Sequence, residues 1–362
     1  ANMITAETLA EAAQKAVEAA KASAVKVISY DRLITNTAAV DYYVTFDSLA
    51  VGAQQAQYLV DHATGKGNPL YLYAGAASDN NAFLFFQGAW NVLQPKIADG
   101  TFVIKNSSEA VALQDKPTLT RDEEAKIIGQ TTTNWDFNTA KNLAESNLTV
   151  ATTADKGTVF IAAPNDGTAR AIADSFAADK DVTKYFITGQ DAEKASVQYI
   201  IDGKQSMTVL KDVRTLVSDA IAAAIAYLEG KTPEQTATYN NGVIDVPAKP
   251  SVVVTVDQSN VKEALIDSGY YDASEFTGLA LATALAAGFL APISSSRSDA
   301  NVFPMITAKL VPTGKREKFW MTMQIAPIRA PKITWLSTID GSTMPLPTVA
   351  ATFSWNRRMA TK

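Results

Sequence analysis

Five polar clusters carry the chemistry this sequence offers. Asp31-Arg32 follows the apolar run Ala24-Val25-Lys26-Val27-Ile28, and Ser78-Asp79-Asn80-Asn81 follows the run at 70–74. Asn165-Asp166 comes after 158–163, Gln190-Asp191 after 185–188, and Lys211 directly after 207–210. Asp and Asn present planar acceptors and donors, and Arg a planar fork of donors, so each can reach two adjacent hydroxyls at once. Such groups orient a neutral polyol without needing a charge on it. A sugar ring also has an apolar C–H face that wants an aromatic platform. Trp135, set between Asn134 and Asp136, is the candidate platform, and Trp90 is its competitor. Any one cluster alone reads as a helix cap or a turn, and either tryptophan alone as core packing. The coincidence of five gives the set its weight.

The elements behind these residues alternate. Apolar positions at three and four spacing predict a helix over 5–22, ahead of a strand that ends at Tyr30. A strand over 41–46 follows, then a helix over 49–62 with Ser48 as N-cap. Strands are predicted at 70–74, 101–104, 158–163, 185–188, 207–210 and 251–256. Between and around them lie helices over 80–97, about 121–147, from 168, from 193, over 213–229 and over 261–268. This spacing implies βαβ units, mostly parallel sheets and an α/β fold. In such folds the carboxyl ends of the strands face the ligand crevice, and every cluster above sits on that rim.

Composition removes several function classes. The 362 residues contain no cysteine, so disulfides, zinc-thiolate sites and thiol nucleophiles are excluded. A net charge of −5 argues against a nucleic-acid partner. One histidine, His62, leaves little material for a catalytic triad or a zinc site. Gly65-Lys66-Gly67 precedes a strand where a dinucleotide fingerprint would follow one, and Gly230-Lys231-Thr232 lacks the first glycine of a P-loop, having Ile225 there. No cofactor, metal site or enzymatic activity is expected. The longest apolar run, 279–290, is too short to span a membrane.

In order along the chain, the stretches Val27-Ile28-Ser29-Tyr30-Asp31-Arg32-Leu33-Ile34, Asp41-Tyr42-Tyr43-Val44-Thr45-Phe46-Asp47, Asp79-Asn80-Asn81-Ala82, Gly189-Gln190-Asp191-Ala192 and Met207-Thr208-Val209-Leu210-Lys211 form a specific set. Together they closely resemble the xylose-binding and multiple-monosaccharide-binding proteins of bacterial ABC importers. Tyr239-Asn240-Asn241-Gly242-Val243 and Asp267-Ser268-Gly269-Tyr270-Tyr271 resemble that family too, so the likeness covers about residues 5–276. It implies a two-lobed type I periplasmic-binding-protein fold. The first lobe would comprise 1–46 and 213–250, and the second 47–212 and 251–276, with chain crossings near 46–48, 211–213 and 250–252. The lobes would close over a monosaccharide of the xylose, glucose or fructose type and deliver it to an ABC transporter permease. That work is extracytoplasmic, in the periplasm or at a lipid anchor. By the resemblance Asp31 and Arg32 bind from the first lobe, and Asn81, Trp135, Asn165, Asp191 and Lys211 from the second lobe or the hinge, with Asp79 close by. The alternative is the same fold serving as the sugar sensor of a transcription regulator or a chemoreceptor partner.

Two departures accompany the likeness. The chain starts where the family has already passed about two βα units, so the first lobe is expected to lack its leading strands, and no signal segment is visible. From residue 278 onward, ten Lys/Arg stand against three Asp/Glu, with three of the five tryptophans and five of the seven methionines. This composition break marks 277–362 as a separate C-terminal extension with no likeness to the family. A partial or frame-shifted gene product with a poorly structured tail is the expectation, and a genuine appended segment its competitor. Apolar runs such as 319–325 could be strands.

Overall fold

The computed structural model describes residues 9–279 and 320–323. Helix α1 (Leu9–Ala22) leads into strand β1 (Val27–Tyr30), and β2 (Tyr42–Val44) precedes α2 (Ser48–His62). A second run follows: β3 (Asn68–Leu72), α3 (Asn80–Ala98), β4 (Phe102–Ile104), α4 (Ser108–Ala112), α5 (Arg121–Thr131), α6 (Phe137–Val150), β5 (Gly157–Ala162), α7 (Asp166–Ala178), β6 (Val182–Ile187) and α8 (Lys194–Ile201). Then come β7 (Met207–Leu210), α9 (Val213–Leu228), β8 (Ala237–Asn240), β9 (Asp245–Ala248), β10 (Val254–Asp257) and β11 (Trp320–Met323).

The strands fall into two main sheets. One has the order β11-β1-β2-β9-β8, and the other the order β4-β3-β5-β6, with every pair in the second parallel. In that second sheet β4 lies to one side of β3 and β5 to the other, so the winding reverses between β3 and β5. The crevice outside the carboxyl ends of strands at such a reversal is where doubly wound sheets bind ligands. Two departures from parallel pairing occur. The β8–β9 hairpin, which sequence reading did not assign, is antiparallel, and so is the small β7–β10 sheet.

Up to β10, the chain leaves or re-enters the first sheet three times: from β2 to α2, from β7 to α9, and from β9 to β10. Two of these strands run together, with Phe46 bridged in parallel to Ser251. There the Asp47 N–H donates to Ser251 O at 3.0 Å and the Ser251 N–H to Thr45 O at 2.9 Å.

Packing explains where the elements sit. Val27, Ile28 and Ser29 of β1 are buried, as expected for a strand covered on both faces. Beneath the second sheet α2 and α3 lie unusually close, because Gly52 and Gly88 face each other's helices. A Cβ on Gly52 would stand 1.9 Å from the Phe85 carbonyl oxygen, and one on Gly88 2.1 Å from that of Leu49. Backbone cannot yield as a side-chain tip can. Gly52→Ala should therefore cost about 2–3 kcal/mol, and thermal unfolding should show the midpoint lowered by roughly 5 °C or more. An unchanged midpoint would show that the two helices part freely.

Several element boundaries differ from expectation for local reasons. Asp47, one residue before the expected Ser48, is the N-cap of α2, its Oδ1 accepting from the Ala50 N–H at 2.9 Å. Helix α7 starts at Asp166 with Asn165 as cap, two residues ahead of the expected start. The helix expected over 121–147 is two helices. Its break, 132–136, turns on the left-handed residues Asn134 and Trp135, and Asp136 caps the next helix. Of the tail, β11 is described: it is parallel to β1, on the edge opposite β2, with Val27 in register with Trp320. Leu279 joins the buried cluster of Ile201, Leu210, Leu265 and Phe276, and the other expectations for 277–362 lie outside the described residues.

Candidate functional site

Strand ends and helix starts bring the polar clusters to one place. Asp31 sits just past β1 with φ 61°, and its N–H donates to Val44 O at 2.8 Å, which turns the chain outward at the strand end. Arg32 forms an ion pair with Asp79, which is itself the N-cap of α3, and lies 3.6 Å from the Asp31 carboxylate. Asn81 Nδ2 donates to the Asp31 carbonyl at 3.1 Å. The Tyr43 hydroxyl, on β2, donates to that same carbonyl at 2.9 Å and lies 3.3 Å from Asn81 Oδ1. Residues of the first sheet thus touch those of the second directly. Tyr43 was not among the sequence candidates. Its burial pushes its phenol pKa up, with the Asp31 charge adding to the shift, so it stays a neutral hydroxyl donor.

The second part of the site lies at the end of β7. Lys211 Nζ is 2.7 Å from Asp191 Oδ1. Burial alone would depress the lysine's pKa, but the charges of Asp191 and then Asp31 outweigh it, and the pKa is raised. The ammonium also lies 5.6 Å from the Phe85 ring centre and 6.0 Å from that of Phe46. Both Asp31 and Arg32 act on Lys211 electrostatically, so the two parts share one field. Asp191 and Ala192 have φ 99° and 49°, and Asn134 and Trp135 53° and 60°. Left-handed non-glycine residues are costly, and their concentration here is typical of sites where geometry is imposed for function.

Trp135 is placed by a glycine. The 131–136 segment is tied to the chain after β3 through Ala74 N–H to Thr131 O at 2.9 Å, Thr133 N–H to Ala74 O at 2.8 Å and Thr132 Oγ1 to Gly75 O at 2.8 Å. The indole packs directly against Gly75, where a Cβ would stand 2.0 Å from the ring. Phe85 meets it edge-on at 6.3 Å, and the indole Nε1 is buried without a partner. Trp90, the competitor, is a core residue: it is buried, stacks on Phe86 and donates to Lys116 O at 3.0 Å.

Asn165 is half-buried at the start of α7, and its Oδ1 accepts from Thr168 Oγ1 at 2.6 Å. The next residue binds it to the Asp191 loop, since the Asp166 N–H donates to Gln190 O at 3.0 Å. Gln55, buried on α2, reaches across to Gly189 O at 3.0 Å. Asp31, Arg32, Asp79 and Asn81 therefore meet directly, Asp191 and Lys211 pair beside them, and Trp135 and Asn165 stand on the neighbouring loops. Phe46 and Phe85, buried rings beside the Lys211 ammonium, were not singled out by sequence reading, because an apolar ring in a strand or helix carries no local sign of a distant charged neighbour. Among the described residues no cluster of side chains could hold a metal ion.

A family model described as periplasmic binding protein domain matches residues 4–232. The multiple sugar-binding periplasmic receptor ChvE of Rhizobium radiobacter is 38% identical over 278 residues, covering 74% of this chain and 73% of that protein. The chain belongs to the periplasmic binding proteins. The D-xylose-binding periplasmic protein of Escherichia coli K12 is 33% identical, with 72% of this chain and 70% of that protein covered. Among solved structures, a carbohydrate transporter solute-binding protein from Chloroflexus aurantiacus, in complex with D-glucose, is 80% identical with a TM-score of 0.73. That match covers 74% of this chain and 79% of the other. The fold is accordingly that of a type I periplasmic binding protein, α/β with parallel sheets flanked by helices, and its family is one of transport receptors, not enzymes. Among the described residues no helix is long and apolar enough to cross a membrane.

Proposed function

We propose that this binding protein captures a monosaccharide of the glucose or xylose type between two lobes and presents it, outside the cytoplasm, to an ABC transporter permease. One lobe is built on β1, β2, β8 and β9 and the other on β3 to β6, with the three chain crossings as the hinge. The observation that carries the reading is the meeting of Asp31 and Arg32 from one sheet with Asp79 and Asn81 from the other. Groups that meet only when the lobes come together make closure and ligand capture one event.

Asp31, Arg32, Asn81, Asn165, Asp191 and Lys211 supply the hydroxyl contacts, Asp79 anchors Arg32, and Trp135 offers its ring to the C–H face of the sugar. Each cation already has a carboxylate partner, Lys211 with Asp191 and Arg32 with Asp79. With Asp31 as a third carboxylate, neither cation is left over to select an anionic ligand, which suits a neutral one. The likeness to a chain solved with D-glucose supports the ligand class. A thermal-shift panel of aldoses, ketoses, polyols and amino acids tests it. The unfolding midpoint is expected to rise with D-glucose or D-xylose and to stay put with amino acids, by linkage of binding to the folded state. A rise confined to amino acids would overturn the assignment.

A further inference from the structure

Behind Asp191 lies a second carboxyl group that the binding reading does not use. Asp166, the first residue of α7, is fully buried. Its Oδ1 accepts from Gln205 Nε2 at 2.8 Å and its Oδ2 from the main-chain N–H of Glu193 at 2.8 Å. The loop closes tightly over it: a Cβ on Gly189 would stand 2.2 Å from Asp166 Oδ1. In that loop the two left-handed residues Asp191 and Ala192 are held by three bonds. The Asp191 N–H donates to Val209 O at 3.0 Å, the Ala192 N–H to Thr208 Oγ1 at 3.1 Å, and the Glu193 N–H to Asp166.

The charges around Asp166 are all committed elsewhere. On the loop, Asp191 pairs with Lys211 at the end of β7, and Glu193 pairs with Arg170 of α7 at 2.8 Å. The Tyr271 hydroxyl, from the segment after β10, donates to Ala192 O at 2.9 Å. Among the described residues no cation forms an ion pair with Asp166. The side-chain oxygens of Gln205 and Gln190 are buried with no donor. A neutral carboxyl group would bring a donor to a cluster that otherwise has acceptors to spare.

We propose that Asp166 is a positioning residue of the sugar site, its buried carboxyl group clasping residues 189–193 so that the strained turn presents Asp191 to the ligand. Burial first, and then the Asp191 charge, holds the Asp166 pKa well above the usual carboxylate range. In both bonds Asp166 is the acceptor, so the clasp is made by its two oxygens and does not depend on the proton.

This inference rests on the sugar-binding reading, and calorimetry on the full chain with D-glucose separates the two. Asp166→Ala, which removes both acceptors, should bind about 30-fold more weakly than the unaltered protein. Asp166→Asn, which keeps one acceptor, should recover part of that loss and bind within about tenfold. Native affinity in the alanine variant, or an asparagine variant no better than the alanine one, would overturn the clasp. Absence of heat from the unaltered protein would instead overturn the sugar reading, and the clasp with it.

Discussion

Asp191→Ala is expected to weaken monosaccharide binding by about 100-fold or more, equivalent to about 3 kcal/mol. Three losses combine. Sugar hydroxyls that donate to the carboxylate would be left without an acceptor in a site closed to water. Lys211, 2.7 Å away, would lose its counter-charge while remaining largely buried. A residue held at φ 99° would also be replaced by one with no polar group to stabilise the left-handed turn. The ligand-free fold should lose stability too, through the stranded lysine and the strained turn, while the 189–193 loop keeps its main-chain bonds to β7. Comparing titration calorimetry with sugar-free thermal unfolding measures both. Affinity within about threefold of the unaltered protein would remove Asp191 from the site.

Gly75→Ala should reduce affinity by about tenfold or more without touching any polar ligand group. The added methyl would lie 2.0 Å from the Trp135 ring, well inside van der Waals contact, so the indole must leave its seat. Trp135 cannot easily re-seat, since its backbone is left-handed and the flanking segment is pinned to Ala74 and Gly75. The Phe85 edge contact would go with it. The expected signature is a changed indole fluorescence in the free protein together with weaker sugar binding. Fluorescence and affinity both matching the unaltered protein would mean that the tryptophan is no platform.

The alternation of strands and helices was readable because buried β-branched runs and amphipathic stretches follow different periods. Strand ends could therefore be located, and with them the polar clusters. What the sequence concealed depends on contacts distant along the chain. The break at 132–136 interrupts a stretch whose composition suits a helix throughout, and it forms because Thr132 and Thr133 bond to the chain after β3. Tyr43 reaches Asn81 only because its strand parity and the approach of α3 coincide. The antiparallel sense of β7 and β10 is likewise invisible locally. Asp79 and Asn165 show a different limit, since each is a helix cap as well as a proposed member of the sugar site. For such residues the ordinary reading and the functional one are not rivals: a cap can also fix the side chain offered to a ligand.

Capture of a neutral monosaccharide is the central claim, and titration calorimetry of the full chain with D-glucose tests it most directly. The account predicts a saturable heat with one sugar per chain and micromolar or tighter affinity, carried over in weaker form to close epimers. No heat with glucose, xylose or fructose would contradict it.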